Sequence, residues 1–134
     1  MNVISIVVGI ILLVHGIGHI MGFLASWTNL PMGFTDRPWI FSGGIHMKSV
    51  VGKVFGLLWL VAMIGFIASA IGIFTNQSWW PTTAVAASVV SLVAIVPWWN
   101  TVTPGSRVGA VIVDVITLVA LLGPWKESII DRIG

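Results

Sequence analysis

Apolar residues run through this chain in four long blocks, at residues 2–26, 49–74, 80–99 and 107–124, with short polar or turn-rich breaks between them. Each block is close to the length of about 17–25 residues that a helix needs to cross the hydrocarbon layer. The pattern therefore predicts an all-α fold, a four-helix transmembrane bundle forming a single domain. The longest break, TNLPMGFTDRPWIFSGGIHMK, contains Pro31, Gly33, Pro38, Gly43 and Gly44, which together forbid a continuous helix. Its PWIFSGGIHM portion is still apolar and is expected to lie in the interface or dip toward the core. TNQS and NTVTPGS make the other breaks, and the polar tail KESIIDRIG is short.

Within the blocks the polar and small positions fall on particular faces. In the first, His15 and His19 are one helical turn apart. Ser5, Gly9, Gly16, Gly22 and Ser26 share their side within an arc of roughly 140°, and Ile, Val, Leu and Phe fill the other. In the second, Gly52 and Gly56 form a GxxxG pair that Gly65, Ser69 and Gly72 extend, a seam suited to close helix approach in lipid. The third is bracketed by Trp79–Trp80 and Trp98–Trp99, about 28 Å apart along a helix, so aromatic belts are expected at both of its ends. Ala84, Ala87, Ser88, Ser91 and Ala94 give it a small face. These seams suggest close packing by another membrane subunit or by self-association.

Composition narrows the class. Hydrophobic residues make up 57% of the 134 and charged ones only 7%, against about 25% charged in soluble domains. The lipid bilayer is thus the first partner. Six basic against four acidic residues is too small an excess for a nucleic-acid patch. The absence of cysteine excludes disulfides, thiolate metal sites and thiol redox chemistry. The N-terminal block lacks a basic leader and is longer than a signal-peptide core, so it is expected to be retained. Arg37, Lys48, Lys53 and Arg107 lie around the first and third connections, and Lys126 and Arg132 at the other side. The positive-inside rule then favours loops 1 and 3 in the cytoplasm, with both termini outside.

One acidic residue, Asp114, lies inside a block. Ionisable groups at that depth face the bundle interior with a partner. Counting inward at 1.5 Å per residue, Asp114 lies about 12 Å deep, His19 about 10 Å and His15 about 16 Å from the same membrane face. A His–Asp pair at that level satisfies both groups. His46 and Lys53 belong to the same face.

Three readings stay open. His15 and His19, with Asp114 and His46, are candidate ligands for a transition metal (Zn, Cu or Fe). One of the first two is a candidate axial ligand for haem or hydrogen-bond partner for a quinone. In this reading Asp114 is a ligand or orients a ring. Alternatively, a proton or ion path runs from His46 and Lys53 past His19 and His15 to Asp114, as in a transporter. In the third, the groups hydrogen-bond the helices together in a structural scaffold. No nucleophile elbow or nucleotide-binding glycine motif is present.

The run from His15 to Phe23 reads HGxxHxxGF. It resembles a group of small four-helix membrane proteins, DoxX-like and often labelled permeases, some of which accompany respiratory oxidases. The resemblance implies that His15 and His19 act as a pair and that the chain is a small accessory subunit of a larger membrane complex; the residues themselves add the buried His/Asp site and argue against an enzyme acting alone.

Overall fold

The computed structural model describes residues 1–35, 38–41 and 43–133; Arg37, counted above for orientation, lies outside them. Its described residues are helical apart from turns and connecting segments, and four helical stretches are long and apolar enough to cross a membrane: Val3–Trp27, Val50–Phe74, Trp80–Trp98 and Pro104–Leu122. The chain is thus a multi-pass four-helix transmembrane bundle, as its hydrophobic blocks predict.

The first span is two helices, α1 (Val3–Gly18) and α2 (Ile20–Trp27). Asn2 caps α1, its Oδ1 accepting from the Ser5 amide at 2.9 Å. The join at His19 is a tightened turn, with the His19 amide donating to the Gly16 carbonyl and the Gly22 amide to the His19 carbonyl. Ser49 caps α3 (Val50–Phe74) by accepting from the Gly52 amide. Helix α4 (Trp80–Ile95) opens with Pro81 in its first turn and runs into a single 3₁₀ turn, Val96–Trp98, containing Pro97. Helix α5 (Pro104–Leu122) starts three residues before the expected Arg107, because Pro104 is tolerated where no intrahelical donor is needed.

The short tail, expected to be merely polar, forms helix α6 (Lys126–Ile133). Ile133 is buried, and Ile129 and Ile130 pack against the core. Ser5 Oγ donates to the Ile133 carbonyl at 2.5 Å and Asn2 Nδ2 to the Arg132 carbonyl at 2.8 Å. Two carbonyls left over at the end of α6 are thereby satisfied by the start of α1.

Helix α3 is the centre, packing α1 and α2 on one side and α4 on the other, while α5 packs on α4. Small residues make these approaches close. A Cβ at Gly16 would stand 2.9 Å from Phe66 Cβ, one at Gly65 2.8 Å from Ala87 Cβ, and one at Gly72 2.7 Å from Trp80 Cβ. The seam read on the second block is therefore occupied by this chain's own helices. Each Trp pair divides between the two environments: Trp80 and Trp98 are buried, whereas Trp79 is exposed and Trp99 half-buried. Helix α1 approaches α5 far less closely than it does α3, and that loose seam positions the site.

Candidate functional site

Four side chains from three helices close a hydrogen-bonded ring. His15 Nε2 lies 2.8 Å from Asp114 Oδ1. The other carboxyl oxygen, Oδ2, lies 2.5 Å from Ser91 Oγ. Ser91 Oγ is in turn 2.7 Å from His19 Nε2, and His19 Nδ1 is 2.9 Å from the backbone carbonyl of His15. Asp114 and Ser91 are 0% exposed, so the ring's far side is sealed in the bundle. Phe66 of α3 stacks edge-on to His15 at 4.5 Å, and the two imidazoles meet edge to face at 4.7 Å.

Local structure explains how two histidines on one helix reach different partners. At the α1–α2 join the His19 amide turns to Gly16, and the His15 carbonyl accepts from the His19 ring instead. The side chain takes over a carbonyl that the tightened turn leaves free. His19 is thereby swung toward Ser91 while His15 faces Asp114.

The donor and acceptor roles follow from counting hydrogens. A carbonyl only accepts, so His19 Nδ1 carries a proton. The three remaining links, His15–Asp114, Asp114–Ser91 and Ser91–His19, each need one hydrogen. An ionised Asp114 with two neutral histidines supplies two: the His15 Nε2–H, and a single Ser91 hydroxyl for two acceptors. One further proton completes the set, shared between Asp114 and His19 through Ser91, and the ring is then electrically neutral.

The sequence places His15, His19 and Asp114 at one depth, and the structure brings all three together. Ser91 is a member that the sequence reading leaves on a small face. His46 does not join. It is exposed in the turn before α3, its Nδ1 accepting from the Lys48 amide at 3.3 Å and its carbonyl accepting from Ser49 Oγ. The Lys53 ammonium sits over the Trp27 ring, 5.4 Å from its centroid. The two outer residues of the expected proton path thus have other partners.

A metal centre is not assembled either: among the described residues no three His, Cys, Asp or Glu side chains are placed to hold an ion. Ser91 stands between His19 and Asp114, and both His19 ring nitrogens are engaged, which leaves His19 no free lone pair for a metal or for haem iron.

A cavity of about 370 Å³ opens beside the ring. Val14, His15, Gly18, His19 and Met21 line it from the first span, Gly105, Gly109, Ala110 and Val113 from α5, and Trp59 and Phe34 close one end. Gly18, Gly105 and Gly109 are exposed, and a Cβ at any of them would meet nothing within 4 Å. The walls are therefore bare of side chains at these three glycines. Among the described residues, His15 Nδ1 is the one ring nitrogen of the pair with no hydrogen-bond partner.

Compared with known proteins, the chain matches no family model, no curated protein and no solved structure.

Proposed function

We propose that this chain is a small membrane subunit that binds a lipid-soluble, ring-bearing redox cofactor of the quinone type in the seam between α1 and α5. The observation that carries the reading is the cavity itself, bare of side chains at three glycines and lined by His15 and His19 of the hydrogen-bonded ring. A site entered from the bilayer selects apolar ligands, and a single oriented polar contact fixes a carbonyl- or hydroxyl-bearing ring within it. The buried Asp114 sets the orientation of His15 from behind.

Electron exchange with such a ligand needs a second redox group. A chain with no cysteine and very little extramembrane surface is suited to receive it from a neighbouring membrane protein, and the HGxxHxxGF resemblance to DoxX-like proteins supports the same accessory role. In the orientation favoured by basic residues, loops 1 and 3 are cytoplasmic and the site lies in the cytoplasmic half of the bilayer. Lys48, Lys53 and Arg107 stand on that side.

Photolabelling tests the assignment. The chain in lipid nanodiscs is irradiated with a photoreactive short-chain benzoquinone, and adducts are mapped by mass spectrometry. They are expected on cavity residues such as Met21 and Val113, to be competed by unlabelled quinone, and to be lost in Gly109→Leu. That substitution fills open space and exchanges Gly for a better helix former, so folding is preserved. Adducts distributed over the lipid-facing surface and unchanged in Gly109→Leu overturn the reading.

A further inference from the structure

Phe34 belongs to two cavities at once. It lines the ligand cavity, where its ring meets Trp59 edge-on at 5.4 Å, and it lines a second cavity of about 150 Å³ formed with Ala25, Asn29, Pro31, Met47 and Lys48. Among the described residues no other one lines both, so Phe34 is the wall between them.

The backbone that carries this wall is pinned. Phe34 closes a tight turn, its amide donating to the Pro31 carbonyl at 2.8 Å, with Met32 and Gly33 between them at φ +49° and +78°. That left-handed region is open to glycine but unfavourable for methionine, and Met32 is held there by packing against the core cluster that contains Ala25, Trp59 and Ile95. On the other flank the Thr35 amide donates to the Thr101 carbonyl at 2.9 Å and the Thr35 hydroxyl to the Asn100 carbonyl at 3.3 Å. Movement at this point therefore falls to the Phe34 side chain, which has a few staggered positions rather than a continuum.

The second cavity matches the group that would enter it. A cavity of about 150 Å³ with apolar walls takes up a benzene ring. Here Ala25, Pro31 and Met47 supply apolar wall, and Asn29 and Lys48, both exposed, complete it.

We propose that Phe34 is a swinging wall that sets how large a ring system the ligand cavity admits. With the Phe34 ring against Trp59 the ligand cavity ends there, at about 370 Å³, near the small end of the range for ligand sites. With the ring turned into the second cavity, the place beside Trp59 is vacated and the ligand cavity lengthens toward the loops. A single six-membered ring is admitted with the wall in place, and a fused two-ring system requires the swing.

The swing does not depend on the quinone reading, whereas the choice of ligands rests on it, and the experiment keeps them apart. The full chain, with a fluorine label on the Phe34 ring, is placed in lipid nanodiscs and first read by fluorine resonance without ligand. Two exchanging signals are expected, one of them shifted by the ring current of Trp59. Asn29→Phe brings a second ring to the second cavity from an exposed position, so the fold is kept and the signal of the swung ring should be lost. A single signal in the native chain, or two signals that Asn29→Phe leaves unchanged, overturns the proposal. Short-chain benzoquinone and naphthoquinone are then added, each also measured for competition with the photolabel. Both are expected to compete, the naphthoquinone making the swung signal the major one and the benzoquinone leaving the ratio as it was. A naphthoquinone that competes without moving Phe34 overturns the sizing role. Failure of both quinones to compete overturns the quinone reading and leaves the swing standing.

Discussion

Replacing Asp114 by Asn and by Leu separates the hydrogen bonds its carboxyl makes from the charge it carries. In Asp114→Asn, the amide oxygen accepts from His15, the amide N–H donates to Ser91, and Ser91 donates to a neutral His19, so all three links survive. In Asp114→Leu, His15 and Ser91 lose their acceptor inside the bundle. Interhelical hydrogen bonds in membranes average about 0.6 kcal/mol, and stranding a buried partner costs about 1–3 kcal/mol. Asp114→Asn is therefore expected within about 1 kcal/mol of the native stability, and Asp114→Leu about 1–3 kcal/mol below it, measured by unfolding in mixed micelles. Equal stability of the two would show that the ring does not hold the helices. His15, His19 and Asp114 are legible in the sequence because ionisable groups at bilayer depth are rare and their depths match. Ser91 is not, because a serine in a membrane helix commonly bonds its own backbone one turn back, as Ser26 does to Gly22 and Ser69 to Gly65. Sharing a membrane face with the cluster was the only signal for His46, and face alone does not fix which way a turn residue points.

The first span shows how closely spaced glycines serve opposite purposes. A Cβ at Gly16 would press on Phe66 and on the α3 backbone at Met63, 3.2 Å away, whereas one at Gly18 would enter open space. Gly16→Ala is thus expected to destabilise by about 1–3 kcal/mol through overpacking. Gly18→Ala should be neutral or gain up to about 1 kcal/mol from helix propensity. Thermal unfolding in detergent compares the two directly, and a loss in Gly18→Ala equal to that in Gly16→Ala would contradict the open seam. At this scale the four spans are legible to within a few residues, since length and apolarity alone decide them. The break at His19 is not, because it depends on a ring nitrogen competing for the His15 carbonyl, and hydropathy carries no trace of that. Helix α6 has a readable signal in Ile129, Ile130 and Ile133, spaced to share one face, with Glu127 in the first turn and Arg132 in the last. Its brevity masks the signal, as an isolated helix of that length is marginal without a surface to dock on.

Across the whole molecule, the ring and cavity occupy the half of the bundle nearer loops 1 and 3, and α6 closes the other half. Leu12, Ile73, Leu121 and Ile133 share one core cluster there, and the two carbonyls at the end of α6 are held by Asn2 and Ser5. Docking of α6 therefore joins the two chain ends, and it follows that loosening α6 should expose the C-terminal segment without disturbing the ring. Ile133→Asn places an amide where a buried side chain packs, which is unfavourable without a partner. Trypsin cleavage after Lys126 should accelerate at least tenfold in this variant, while the His15 and His19 ¹⁵N resonances stay at their native positions. Performed on sealed vesicles, the same digestion reads orientation. With both termini outside, Lys126 is cut by protease added to right-side-out vesicles and protected in inverted ones. Cleavage at the native rate would show that α6 does not depend on Ile133, and a shift of the histidine resonances would show that the two halves of the bundle are coupled.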